Sequence, residues 1–245
     1  MPVQPAAPPL AGPVLSAQSW HNVTFLHWPV DPDSVQGLFP PGVRPDVIDG
    51  VTYVGLVPFI LRHAGPGARL PVPFFGDFCE TNVRLYSVDA ADRHGIVFLT
   101  LDAQRLATVL LARWSLGLPY AWSSMNSAQD GDERRYQSRR RWPRPARSSG
   151  GPTCRVRVRL GETAEPSALQ VWLTARWGLH TRVAGRTVWV PNEHPAWSLR
   201  SAEVLELDDG LVRSCGIEVD PGAMLPALWS KGVRTSFGMP SVVSQ

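Results

Sequence analysis

Along this chain, apolar and polar residues alternate or cluster in short stretches that fit strands far more often than helices. "VTFLHWPV" (23–30) is β-branched and aromatic and reads as a strand. It is closed by "DPDS", where Asp31 is placed to cap a helix and Pro32 takes its first position. Pro40-Pro41-Gly42 then ends that helix early. Asp49-Gly50 has the chemistry of a two-residue hairpin turn and leads into the long strand "VTYVGLVPFILRH" (51–63). "CETNVRLYSVDA" (79–90) and "GIVFLTLDA" (95–103) form a further strand pair around "ADRHG".

Two segments carry helical spacing. Leu106, Val109, Leu110 and Arg113 recur at i, i+3, i+4 and i+7 in "LDAQRLATVLLARW", and Leu169, Trp172, Leu173 and Arg176 repeat that spacing in "EPSALQVWLTARWGL". "YQSRRRW" and "CRVRVRL" lie between them. The hairpin "HTRVAGRTVWV" turns at Ala184-Gly185, and "AWSLRSAEVLEL" and "LVRSCGIEV" flank a turn at Asp209-Gly210. No repeat or interdomain linker interrupts the pattern. It predicts one mainly β (α+β) domain over residues 19–245 with a few short helices, and a closed or nearly closed β-barrel manages that many strand edges most easily. The opening "MPVQPAAPPLAGPVLSAQ" (1–18), rich in Pro and Ala, predicts a flexible, disordered tail outside the fold.

Composition narrows the class. The longest apolar stretches of the 245 residues are too short to span a bilayer as a helix, and the proline-broken start lacks the basic region of a secretory leader. Cys79, Cys154 and Cys215 are far apart, odd in number and match no zinc spacing, so a reduced, cytoplasmic protein is expected. The six histidines form no HxH or HExxH pattern; no metal and no cofactor is indicated. Lys231 is the only lysine, which restricts Schiff-base chemistry to it and the N-terminus.

Several stretches, in order, carry a resemblance: "WHNVTFLHWPVDPDSVQGLFPPGVRPDVIDGVTYVGLVPF", "ETNVRLYS", "VFLTLDA", "ARWSLGLPYAWSSM", "YQSRR", "LTARWGLHT" and "HPAWSLRSAEV". Together they resemble the YqjF-like family of uncharacterised proteins in the acetoacetate decarboxylase-like superfamily. The resemblance implies a β-barrel enclosing a cavity. In true acetoacetate decarboxylases the stretch matching "ARWSLGLPYAWSSM" carries an arginine, a proline, and two adjacent lysines, one of which forms the Schiff base. Aligned on Pro119, Tyr120 and Ala121 stand at the lysine positions and Arg113 at the arginine. Neither tyrosine nor alanine forms an imine, so decarboxylation by that route is not expected. Ala196 stands where the family commonly has a second proline before the tryptophan of its last motif.

The candidate site follows from pattern and resemblance together. Glu80 resembles the glutamate facing the decarboxylase cavity, and alternation puts Glu80, Asn82 and Arg84 on one strand face. If that face points inward, an acid, an amide and a guanidinium meet in one pocket; if outward, they satisfy one another in solvent. Glu80 and Tyr120 are the candidate proton-transfer groups. Arg113 pairs with Glu80 or binds a substrate carboxylate, or else snorkels from its helix to water. His27, Trp28 and His194 fall in family-like motifs and are candidate substrate contacts, as is Arg139, or Arg140 beside it, at the barrel mouth. The run "RRYQSRRRWPRPAR" followed by "RVRVR" admits a remote nucleic-acid reading through residues 134–159, but no nucleic-acid module accompanies it, and alternation makes Arg155, Arg157 and Arg159 one face of a half-exposed strand. Two readings remain: an enzyme acting on a small polar or carboxylated molecule without an imine, lyase-like or isomerase-like, and a binding or sensing protein that keeps the pocket alone. A small molecule is the expected partner, no membrane is, and self-association is open.

Overall fold

Residues 4–67, 76–143 and 150–244 are described by the computed structural model. Its strands are β1 (Ser16–Val30), β2 (Val43–Pro45), β3 (Thr52–Pro66), β4 (Phe78–Asp89), β5 (His94–Ala103), β6 (Tyr120–Asp130), β7 (Glu133–Trp142), β8 (Thr153–Thr163), β9 (Gly178–Val183), β10 (Arg186–Glu193), β11 (Leu199–Asp208), β12 (Ala227–Phe237) and β13 (Ser241–Val242). Four short helices join them: α1 (Pro32–Val35), α2 (Leu106–Leu116), α3 (Ala168–Thr174) and α4 (Gly210–Ser214). No helix of the described residues is long and apolar enough to cross a membrane.

Local chemistry sets the joints. Asp49 and Gly50 both have positive φ, as do Ala184 and Gly185 between β9 and β10; this is the paired left-handed backbone that lets a two-residue turn match strand twist. Asp31 caps α1 with its side chain accepting from the Asp33 N–H, and Ser167 and Gln170 form a reciprocal capping box on α3. The left-handed Gly117 terminates α2.

The strands form one sheet that closes into a ring. β12, β1, β3, β4 and β5 lie side by side as a wall. From the two outer edges of that wall the sheet branches: β5 also pairs with β6 and β9, and β12 also pairs with β11 and β10. The branch β6–β7–β8–β11 closes over one face of the wall, where Leu26, Trp28, Val54, Leu56, Val83 and Leu85 pack against Tyr136, Val156 and Val158. Over the other face, Tyr53 and Tyr86 pack with Ile96, Trp172 of α3 and Leu179 of β9. Phe25, Val57, Phe59 and Phe78 join Val109 of α2 and Tyr120 there. The wall is therefore buried on both sides, and β4 with the stretches 23–28 of β1 and 52–59 of β3 read as nearly continuous buried runs rather than half-exposed strands.

Some boundaries depart from the pattern-based expectation. β1 begins at Ser16 and pairs with both β12 and β3, so residues 16–18 of the expected tail are strand. Before it, the Leu10 N–H donates to Glu193 at 3.2 Å and the Trp177 indole donates to the Gln4 carbonyl at 2.7 Å. On α2, Val109 is buried, but Leu106 and Leu110 are exposed, because the helix touches the sheet along a narrower stripe than the spacing suggested. After Asp209 the chain forms α4, through which Leu211 and Val212 both enter the core. In "RVRVR" Val156 and Val158 are buried while Arg157 and Arg159 pair with Glu133, Glu203 and Glu206.

One polar cluster is built into the wall. Asp102 of β5 is fully buried and accepts from Ser123 at 2.6 Å and from Arg140 at 2.6 and 3.0 Å; Arg140 also donates to Thr100 at 2.8 Å. Arg140 thus reaches inward from β7, while Arg139 beside it is exposed. Breaking such a pair strands a buried carboxylate. Arg140→Met should lower the unfolding free energy by about 3–5 kcal/mol, and Arg159→Met, at a side chain that is itself exposed, by about 1 kcal/mol or less, as read by urea denaturation.

Candidate functional site

The polar row begins with strand periodicity. On β4, Val83 and Leu85 face the branch β6–β7–β8–β11, so Glu80, Asn82, Arg84 and Tyr86 point to the opposite face, and all four are buried. Cross-strand register then fixes their neighbours. Arg84 lies opposite Gly55 of β3, and Gly55 opposite His27 of β1. A Cβ on Gly55 would meet His27 at 3.2 Å and Arg84 at 3.3 Å, so the glycine is what lets histidine and guanidinium approach across the strand between them.

Glu80 and Tyr120 meet at one end of the row. The Tyr120 hydroxyl donates to Glu80 Oε2 at 3.0 Å. Burial pushes the Glu80 carboxyl up to about 8, despite the opposing Tyr120 hydrogen bond and with a smaller upward push from Asp102. Burial and the adjoining Glu80 raise the Tyr120 phenol well above its ordinary value. Near neutral pH this pair is uncharged: a carboxylic acid whose Oε2 accepts from a phenol.

Tyr86 is the hub at the other end. Its hydroxyl donates to the Leu173 carbonyl at 3.0 Å, accepts from Arg84 Nη2 at 3.2 Å and lies 2.7 Å from His27 Nε2. With the phenol proton spent on Leu173, His27 is the donor and carries its proton on Nε2. Burial, then Arg84 and Arg176, hold His27 well below the usual imidazole range, so it is neutral. Arg84 lies over the rings of Phe25 and Tyr86 at 5.7 and 5.5 Å and donates Nη2 to the Leu173 carbonyl at 3.2 Å as well. No carboxylate pairs with it among the described residues, and its buried Nε has no partner. The buried Asn82 Oδ1 has none either. An unmet buried polar group costs about 1–3 kcal/mol, so each of these atoms has room for a further hydrogen bond.

Around the row the charges are balanced. Arg176, just beyond α3, stacks on Trp172 at 3.9 Å and forms an ion pair with Asp46, which also accepts from His94 at 2.8 Å. Burial pushes Asp46 up, but the His94 and Arg176 contacts outweigh it and hold the carboxyl below its ordinary value. His194 sits among Trp20, Trp177 and Trp197, with ring centroids 6.0, 4.7 and 4.9 Å away. Burial drives it down to about 4.

The remaining candidates lie elsewhere. Arg113 is exposed on α2, donates to the Tyr120 carbonyl at 2.6 Å and stacks on Trp142 at 5.0 Å; it makes no pair with Glu80. The reason is the narrow contact stripe of α2, which leaves Arg113 on the rim. Trp28 faces away from the row into the opposite core, and Arg139 is exposed. The resemblance-based positions of Tyr120 and Ala121 hold no lysine, and Lys231 is exposed on β12. Tyr86, Gly55 and Asp46 were not singled out from sequence, and Arg176 only as part of a helical spacing. Extending the Glu80–Asn82–Arg84 alternation by one step finds Tyr86, and a glycine within a strand pattern marks Gly55.

Two other features adjoin the row. His180 is held by Ser87 at 2.9 Å and Asp89 at 3.2 Å, but Ser87 is fully buried and both ring nitrogens are spent, so this trio packs rather than reacts. Among the described residues a cleft of about 300 Å³ is lined by Leu38, Phe39, Phe98, Leu118 and His180. Its lining excludes Glu80 and Arg84, although Phe98 pairs with Arg84 across β4 and β5.

Comparison with known proteins agrees with this architecture. The chain is 32% identical over 186 residues to the uncharacterized protein YqjF of Bacillus subtilis strain 168, covering 76% of this chain and 75% of that protein. Acetoacetate decarboxylase from Legionella pneumophila superposes with a TM-score of 0.66 at 12% identity, covering 96% of this chain and 88% of that one. The enduracididine biosynthesis enzyme MppR complexed with pyruvate superposes with a TM-score of 0.61 at 15% identity, covering 96% and 92%. At such identities these two structures establish a shared fold. Residues 17–234 match the model of DUF2071, described as "Uncharacterized conserved protein (COG2071)", and the chain belongs to that family.

Proposed function

We propose that this protein binds a small carboxylated organic molecule in a pocket enclosed by the barrel-like sheet, on the polar face of β4, and handles a proton there without an imine. The observation that carries this reading is Arg84: a buried guanidinium with no acidic partner and an unpartnered Nε. A ligand carboxylate accepts from guanidinium nitrogens in a planar fork and offsets the charge at once. The pyruvate-bound state of MppR, a protein of the same fold, supports a carboxylate as ligand.

Glu80 takes the chemical role in this reading. Protonated near neutral pH, it donates to a ligand oxygen as general acid, while Tyr120 holds its other oxygen. Arg113 acts indirectly, fixing the Tyr120 backbone and hence the phenol. His27 and Tyr86 position Arg84. With a lysine absent from the row, no covalent ligand adduct is part of the account. Borohydride treatment with acetoacetate should leave the chain unmodified in mass analysis.

Arg84→Met tests the anchor. It should abolish the thermal stabilisation that small carboxylates give to the wild-type protein, while Arg113→Met should retain most of it; equal responses would remove Arg84 from the site. Native mass spectrometry of the purified protein should show a retained acid that Arg84→Met lacks.

The proton side has its own test. Glu80 keeps its proton in the fold up to about pH 8, whereas the unfolded carboxyl loses it near 4.5. The folded state therefore binds more protons between those values, and stability from this group falls as pH rises through that window. Glu80→Gln should remove that slope in urea denaturation across the window, leaving a variant more stable than wild type at its alkaline end. Tyr120→Phe should raise the carboxyl further, because it removes the hydrogen bond that lowers it.

A further inference from the structure

The polar row has a length and a charge, and both constrain the ligand. Glu80, Asn82 and Arg84 are alternate residues of one extended strand, so the backbones at its ends stand about 13 Å apart with Asn82 midway. Register against β3 is continuous over this stretch, from Gly55–Arg84 to Phe59–Glu80, which keeps the three side chains on one line. A three-carbon acid held by Arg84 occupies one end of that line and leaves Glu80 at the other end unengaged.

Charge is equally uneven. Arg176 is neutralised by Asp46, and His27 hydrogen-bonds to a phenol rather than to an acid. Glu80 meets the Tyr120 hydroxyl and no cation. Among the described residues Arg84 is left as the one uncompensated cation on the row, so the complement carries a single negative charge at that end. The far end offers a carboxyl group beside a phenol. Val57 and Leu101 flank Asn82 on the neighbouring strands and Phe59 flanks Glu80, in one apolar cluster with Phe25 and Leu228, side chains suited to methylene groups and to nothing charged.

We propose that the ligand is a linear monocarboxylate with an uncharged oxygen function at its far end, spanning from Arg84 past Asn82 to Glu80. This rests on the carboxylate reading of Arg84 and adds length and net charge to it. The far oxygen, a carbonyl or hydroxyl, hydrogen-bonds to the Glu80–Tyr120 pair. A second carboxylate at that end is disfavoured, because it would be buried without a cation.

Isothermal titration calorimetry of the full chain near pH 6 tests this with pyruvate, 4-oxopentanoate, 6-oxoheptanoate, heptanoate and heptanedioate. 6-Oxoheptanoate should bind about tenfold or more tightly than pyruvate, heptanoate or heptanedioate, since each of these lacks one matched group or adds a charge. Glu80→Gln, which keeps a donor, should preserve the preference for 6-oxoheptanoate over heptanoate; Glu80→Leu should erase it while leaving heptanoate bound. Pyruvate binding as tightly as 6-oxoheptanoate, or a preference that survives Glu80→Leu, would overturn the span and leave the role of Arg84 standing. Failure of every acid in the panel to bind would overturn the carboxylate reading beneath it.

Discussion

A sheet wall buried on both faces is the constraint from which the rest of this structure follows. β12, β1, β3, β4 and β5 have packed elements on either side, so alternate residues of β4 enter two different interiors. Val83 and Leu85 supply the apolar packing that holds the wall to β7 and β8. That leaves the other face of the same strand free to carry Glu80, Asn82, Arg84 and Tyr86 in a row. A half-exposed strand would have put those four groups in water, where none of their unusual properties would arise.

Burial gives that row its electrostatic character. The same desolvation keeps Glu80 protonated, holds His27 and His194 neutral, and leaves the charge of Arg84 exposed only to ring faces and two oxygen acceptors. Gly55 contributes by its lack of a side chain, and Tyr86 by tying His27, Arg84 and the α3 carbonyl at Leu173 into one network. Asp102 and Arg140, on the opposite face of the wall, show the contrasting case. Every oxygen of that carboxylate is engaged by the protein, so the pair stabilises the fold and has no capacity left for a ligand.

Much of this was legible in the chain because period-two alternation is a strong signal. It placed Glu80, Asn82 and Arg84 on one face, and ordered motif resemblance added Tyr120, which the fold brings to 3.0 Å from Glu80. What alternation does not encode is which face is inside, and a wall with two interiors leaves that choice to the whole topology. Arg113 shows the corresponding limit for helices: its spacing fits the apolar stripe, yet only a narrow part of α2 touches the sheet. β12 was missed because "ALWSKGVRTSF" mixes a lysine, an arginine and serines into its alternation, although it joins both branches to the wall. Asp46 and Arg176 meet across 130 positions of chain, a pairing that no local pattern announces.

The central claim, that Arg84 is the anion anchor of a buried polar row, is tested most directly by a crystal structure of the protein grown with 6-oxoheptanoate. The account predicts ligand density along β4, with the carboxylate on the Arg84 guanidinium and the ketone oxygen against Glu80 and Tyr120. Density confined to the cleft beside Phe98 and His180, or a carboxylate held by Arg113 at the rim, would contradict it.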